Sequence, residues 1–368
     1  MSLTKKNLIL FMPHLNVGGV EKNFFILSNF LITKVKNISI ITINKEIKKK
    51  LDKRINIISL PTDNFINSHI YAKYLICIFL LIKTILFNKN SLILTFQGNW
   101  YAILIAKIFR VKILTRSNTA PNGWSKSKIK NFLYKFILGL SDEIIVNSLE
   151  FKKIIKKRFN LNAVTIFNPL NKDEILRLSK KKINFNYFNN NKFLKIINFS
   201  RLTDQKNHIL LLKGLLLLKK KINFKLLIAG DGPEKDTIKD FINNNDLGDN
   251  VKLMNYLKNP YPYLKMSDIL ILTSNYEGLP NVLLEAQTLK KTIVSSDCPS
   301  GPKEILKNGK YGYLFKTGNC KDLSKKIYLA SKNKKLNKKI VEYGYQNLFR
   351  YESKKNLDKY YLLISKYL

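Results

Sequence analysis

Ile269-Leu270-Ile271-Leu272-Thr273-Ser274-Asn275-Tyr276-Glu277-Gly278-Leu279-Pro280-Asn281-Val282-Leu283-Leu284-Glu285-Ala286 reads as a buried strand, a turn and the start of a helix. Residues 269–273 are an apolar run of strand length. Gly278 to Asn281 form the turn, with Pro280 and Asn281 as helix start signals and good helix formers from Val282 to Leu289. Glu277 then stands on the loop ahead of the helix, and Glu285 just over one turn into it. In open α/β sheets ligands bind at the carboxyl ends of the strands, where both glutamates would lie. A helix N-terminus there offers N–H groups to a phosphate or a sugar hydroxyl.

The same scheme repeats in both directions. Short apolar runs at 8–12, 38–43, 55–60, 91–96, 112–115 and 143–147 alternate with amphipathic stretches, and again at 194–200, 225–229, 251–254 and 292–295. Alternation of this kind predicts α/β architecture with parallel sheets, here as two doubly wound, Rossmann-like domains. A chain of 368 residues exceeds one ordinary core and fits two. Pro169 disfavours helix at Asn168, and 180–192 is polar and weakly patterned. The expected organisation is an N-terminal Rossmann-like domain at 1–170, a linker at 171–192 and a C-terminal Rossmann-like domain at 193–350. A final helix at 351–368, with apolar and aromatic residues on a helical period, packs back across one of the domains.

Composition excludes several classes. An apolar fraction of 45% with 11% aromatics describes a chain that folds. Cys77, Cys298 and Cys320, like His14, His69 and His208, are too scattered for a disulfide framework or a zinc site. The apolar run at 7–12 breaks at Pro13 and reads as a first strand rather than a signal-peptide core, which predicts a cytoplasmic protein. The net charge of +40, from 65 Lys and Arg against 25 Asp and Glu, has two readings. It is a composition bias spread over the whole chain, or it attracts a polyanion such as nucleic acid or an anionic membrane leaflet.

Two stretches bear on membranes. Residues 70–87 are strongly apolar, but Lys73 and Lys83 leave their longest uncharged run well short of the roughly 20 residues a span requires. A buried or half-buried helix is expected there, with an interfacial role as the alternative. In 126–140, Ile129, Phe132, Leu133, Phe136, Ile137 and Leu140 share one helical face, with Lys126, Lys128, Lys130 and Lys135 around it. Core packing accounts for the stripe, and docking on a membrane surface is the alternative.

The segment Ser274–Ala286 resembles the donor-site signature S-x-x-E-G-x-P-x-x-x-x-E-A of the retaining family 4 glycosyltransferases. That family has the GT-B architecture of two Rossmann-like domains facing across a cleft. The likeness preserves order along most of the chain. Asn16-Val17-Gly18-Gly19-Val20-Glu21-Lys22 resembles the N-terminal glycine loop, in which Gly18 and Gly19 let backbone approach the donor. Ser200 to His208 resembles the R-L-x-x-x-K-N diphosphate clamp, with Arg201 and Lys206 on the phosphates. Gly230-Asp231-Gly232-Pro233 matches a strand-ending turn, and Ser296–Leu306 matches a segment seen in builders of bacterial surface polysaccharides.

The resemblance implies a retaining transferase that needs no cofactor and uses a nucleotide-diphosphate sugar, a UDP-sugar foremost. Glu277 would orient the sugar, Glu285 would hold the ribose, and Gly278, Leu279, Pro280 and Asn281 would line the donor. Arg201, Lys206 and Glu277 form the catalytic set. No D-x-D occurs, so no metal is expected on the diphosphate, and the transferred group is a hexosyl or N-acetylhexosaminyl unit. Where many members carry a histidine, this chain has Thr95-Phe96-Gln97-Gly98-Asn99-Trp100. Gln97 or Asn99 therefore stands for it, and Arg116 and Asn118 are further acceptor-side candidates or a surface cluster. The expected acceptor is a lipid-linked saccharide for polysaccharides of the cell surface, capsule or lipopolysaccharide, reached from the inner face of the plasma membrane. Nucleic acid is not an expected partner. A nucleotide-sugar epimerase of the same architecture and a non-enzymatic polyanion binder are the rivals.

Overall fold

The structure, a computed structural model, describes residues 6–14, 18–60, 70–97, 99–118, 127–190 and 192–368. It divides into one unit of Met1–Pro169 with Ser353–Leu368, and a second of Leu170–Glu352.

In the first unit β1 (Asn7–Phe11), β2 (Asn37–Ile41), β3 (Asn56–Ile58), β4 (Ser91–Thr95), β5 (Lys112–Ser117), β6 (Glu143–Val146) and β7 (Val164–Thr165) form one parallel sheet. Its order is β3-β2-β1-β4-β5-β6-β7. Strand side chains alternate, so both faces are apolar and both are covered. Leu8, Leu10, Leu92 and Leu94 share a core with residues of helices Gly19–Leu31 and Ser353–Ser365. Ile9, Phe11, Ile93 and Ile113 share the opposite core with residues of helices Ile70–Phe87, Asn99–Ile108, Lys128–Gly139 and Leu149–Phe159.

The second unit repeats the design with β8 (Leu194–Phe199), β9 (Phe224–Ala229), β10 (Val251–Met254), β11 (Ile269–Leu272), β12 (Thr292–Ser296) and β13 (Tyr313–Phe315). All its pairs are parallel, in the order β10-β9-β8-β11-β12-β13. The direction of winding reverses between β1 and β4 in the first sheet and between β8 and β11 in the second. Such switch points are where loops diverge and open α/β sheets admit ligands. The expected α/β class and doubly wound, GT-B type of domain are observed.

Two details differ from expectation. The edge strands β7 and β13 have two and three residues, too few to leave a periodic pattern. The stretch read as a linker is largely folded into the second unit. Lys172–Ser179 is a helix whose N-cap, Asn171, accepts from the Glu174 N–H, and Phe188 is fully buried. The final helix, Ser353–Ser365, buries Leu357, Tyr360, Leu363 and Ile364 in the first unit. The chain thus changes units at 169/170 and again at 352/353, and Leu170 N donates to Tyr351 O at 2.8 Å beside the second crossing. Among the described residues no helix is long and apolar enough to cross a membrane.

Candidate functional site

The switch point of the second sheet brings together the loops after β8 and β11, which lie some seventy residues apart in sequence. Asn198, the fifth residue of β8, is buried and donates to Ile271 O at 2.9 Å, joining the two strands where they approach their carboxyl ends. Beyond it the loops are laced together. Gln205 Nε2 donates to Tyr276 O at 2.8 Å and Asn275 N to Gln205 O at 2.8 Å. Asn207 Nδ2 meets Asn275 Oδ1 at 3.1 Å, and Thr273 Oγ1 donates to Lys206 O at 2.9 Å. These bonds satisfy polar backbone that a buried loop would otherwise strand.

At the centre Lys206 Nζ lies 2.5 Å from Glu277 Oε1, with the two side chains 15% and 8% exposed. Ser274 Oγ donates to the same oxygen at 2.6 Å. Both bonds fall on Oε1, and among the described residues Oε2 accepts nothing, so one oxygen is left for a hydroxyl donor. Lys206 has three N–H donors and spends one here. The other two can meet an anion. Arg201, on the same loop, is exposed, and its side chain has no partner among the described residues. A paired, half-buried Lys206 and an unpaired, solvated Arg201 on one loop make a cationic edge around a single fixed carboxylate.

Two glycines hold this edge in place. A Cβ on Gly230 would stand 1.9 Å from Ser200 O, so the turn after β9 backs directly against the loop that carries Arg201. Gly301, at φ +80°, would place a Cβ 2.2 Å from Gly278 O and 2.7 Å from Pro280 Cδ. Ser300 Oγ also donates to Gly278 O at 3.1 Å. Gly278, Leu279 and Pro280 are buried, and the helix Asn281–Thr288 begins at Pro280 without a side-chain cap. Its N-terminal end therefore contributes partial positive charge at the same edge. Glu285, half-buried on that helix, accepts from Tyr261 Oη at 3.0 Å.

Beside this loop lies a small polar network that sequence reading passed over. His208 is buried, with Nε2 2.9 Å from Ser200 Oγ and 3.1 Å from Asn198 Oδ1. Burial, with the Lys206 ammonium nearby, pushes its imidazole from 6.5 down to about 4. As pH falls through this window the unfolded chain binds a proton that the folded chain refuses, so stability is lost between about 6.5 and 4. The loss comes to about 3 kcal/mol at the lower end. His208→Gln, which keeps a hydrogen-bonding atom near Nε2, should lose correspondingly less in urea unfolding between neutral and mildly acid pH. Equal losses in both proteins would remove His208 as the cause.

In the first unit Gly18 and Gly19 open the helix Gly19–Leu31, while Asn16 and Val17 of the glycine loop lie outside the described residues. The backbone at Gly18 is extended, so its glycine is not required by conformation. Gln97 follows β4, and Gly98 also lies outside the described residues. Asn99 Nδ2 donates to Arg116 O at 3.1 Å, and Asn118 Nδ2 to Phe96 O at 2.8 Å. Both amides thus brace the ends of neighbouring strands.

Arg116 corrects the expectation made for it. It is 1% exposed, donates to Asn168 Oδ1 at 2.7 Å and lies 5.1 Å from the Phe96 ring and 5.9 Å from the Tyr360 ring. It is not a surface cluster residue but a guanidinium packed inside the first unit. Its strand position turns it toward the face covered by the helix Ser353–Ser365. The residues that sequence reading missed are Ser274, Gln205, Asn275, Ser300 and Gly301, present in the quoted stretches but without a role, and Tyr261, which no motif marks.

The family described as Glycosyl transferases group 1 matches residues 179–347, which hold every second-unit residue of this site. An uncharacterized glycosyltransferase of Methanocaldococcus jannaschii is 35% identical over 58% of this chain and 59% of its own length, so the likeness spans little more than half of that relative. An alpha-1,4-N-acetyl-D-galactosaminyltransferase of Campylobacter jejuni is 27% identical over 92% of each chain, and its name specifies a diphospho-undecaprenol-linked saccharide as substrate. Among solved structures, the HepE protein of Anabaena in complex with UDP and glucose superposes with a TM-score of 0.78. It is 15% identical and covers 98% of this chain and all of its own, a likeness of fold.

Proposed function

We propose, from the premise that residues 179–347 are a glycosyl transferases group 1 domain, that the chain moves a sugar from a nucleoside-diphosphate donor onto a saccharide acceptor in bacterial polysaccharide biosynthesis. The observation that carries this reading is the Lys206–Glu277–Ser274 cluster at the switch point of the second sheet. A nucleotide sugar presents two demands a few ångströms apart: an anionic diphosphate and a neutral polyol. Lys206, Arg201 and the N-terminal end of helix Asn281–Thr288 meet the first, and the open oxygen of Glu277 meets the second. Glu285, steadied by Tyr261, is assigned to the ribose diol.

As the glycosidic C–O bond to the diphosphate breaks, negative charge gathers on the leaving phosphate. Cations already fixed in place stabilise it without reorganising, the condition under which electrostatic catalysis is most effective. We assign a retaining course in which the acceptor hydroxyl attacks from the face the diphosphate leaves and passes its proton to a phosphate oxygen. Glu277 then positions the sugar and forms no bond to it, unlike the paired carboxylates of glycoside hydrolases. The donor is assigned as a UDP-sugar carrying a hexosyl or N-acetylhexosaminyl group. The acceptor is assigned as a lipid-linked saccharide met at the inner face of the plasma membrane, in line with the diphospho-undecaprenol substrate of the Campylobacter relative.

A thermal-shift panel of UDP- and GDP-sugars tests this. A cognate donor at a hundred times its dissociation constant adds about 2.7 kcal/mol, which raises the melting point of a unit this size by roughly 5–10 °C. If no nucleotide sugar stabilises the protein, the transferase reading fails.

A further inference from the structure

Three neighbouring helices of the first unit turn an apolar side outward. Lys128–Gly139 buries only Ile137 and Leu138, and leaves Ile129 75% and Phe132 68% exposed, with Phe136 beside them. Lys126, part of the expected amphipathic stretch, lies outside the described residues. Asn99–Ile108 exposes Leu104 and Ile108, and Ile70–Phe87 exposes Leu75 and Phe79. The helices are joined edge to edge by aromatic contacts. Trp100 meets Tyr134 at 4.2 Å, and Tyr74 meets Tyr101 at 5.8 Å. All three face the same core on their inner side, so their outer sides form one surface. More than half of the large apolar side chains exposed among the described residues lie on it. Scattered exposed leucines need no explanation, but a cluster of this kind marks a binding surface.

Charge identifies the occupant. None of the three helices contains an acidic residue, and Lys83, Lys128, Lys130 and Lys135 stand exposed among the apolar side chains. A second copy would bring the same cations, and another +40, against this face. Nucleic acid would use the lysines and leave the phenylalanines unused. An anionic bilayer uses both, taking aromatic and aliphatic groups into the headgroup boundary while lysines meet the phosphates. We propose that this three-helix face seats the protein on an anionic lipid surface, lying on the membrane without spanning it. It deepens the proposal of a lipid-linked acceptor, and it is tested without any donor.

The full chain is floated with vesicles of phosphatidylcholine alone or mixed with phosphatidylglycerol, and its oligomeric state is read by light scattering. The wild type should bind the anionic vesicles at least about tenfold better than the neutral ones. Phe132→Ser/Phe136→Ser and Lys130→Glu/Lys135→Glu should each lose about tenfold or more, with melting temperature and nucleotide-sugar shift retained. The proposal is overturned if the wild type ignores anionic vesicles, or if the phenylalanine variant binds them as well as the wild type does. It is equally overturned if the wild type is a dimer that this variant separates, or if a nucleic acid binds in a way that needs the same phenylalanines. A nucleotide-sugar shift that persists through such a failure leaves the donor assignment standing.

Discussion

Lys206→Met is expected to lower kcat/KM for sugar transfer about 100- to 1000-fold, the usual effect of removing one fixed charge from a site where charge develops. The variant also leaves Glu277 buried without its counter-ion, a defect that costs about 3–5 kcal/mol in comparable pairs. Melting temperature should therefore fall as well, and a rate loss alone would be ambiguous. The double variant Lys206→Met/Glu277→Gln separates the two effects. It removes both charges together, so stability returns toward the wild type. The rate should not return, because the leaving diphosphate has still lost its cation and the sugar its acceptor oxygen. Transfer can be followed with an acceptor or by slow hydrolysis of the donor. If the double variant regains the wild-type rate along with its stability, the pair is a structural tie and the assignment to the leaving group is lost.

Gly301→Ala should damage both the stability of the second unit and its donor site. The φ of +80° at this position costs an L-residue roughly 1–3 kcal/mol. The added carbon would also stand 2.2 Å from Gly278 O. That contact cannot be relieved by a side-chain rotation, because both partners are backbone and Ser300 ties the same carbonyl. A total near 3 kcal/mol corresponds to a fall of roughly 6–12 °C in the melting of a unit of this size. Relief by movement would carry Gly278 and Pro280 with it, so the nucleotide-sugar shift should shrink more than stability does. A melting temperature within about a degree of the wild type, with the donor shift intact, would show that the loop yields freely.

Much of this was legible in the sequence, for a physical reason. Long apolar runs such as 8–12 and 269–273 carry the strand signal over several residues, and the alternation with helices fixes a parallel sheet. The helix start at Asn281 was readable from Pro280 and Asn281 and is found there. Arg116 was not readable in the same way. Its place at the end of β5 suggested the ligand edge, but what covers it is Tyr360, supplied by the far end of the chain. Periodicity also failed at 129–140, since it reveals an apolar face and not what covers it. Ile137 is buried while Phe132 and Phe136, on the same stripe, are exposed. The lacing of 205–207 to 273–276 was invisible because hydrogen bonds between loops leave no pattern in either loop.

The double crossing at 169/170 and 352/353 sets an order on synthesis. The second unit is complete once Glu352 has left the ribosome, whereas the first, begun earlier, still lacks the helix that covers Leu8, Leu10 and Leu114. Domains fold as units as they emerge. The older half of this protein must therefore wait, one apolar face of its sheet covered only in part by helix Gly19–Leu31, while the younger half folds. Arg116 gains its second ring only when Tyr360 arrives.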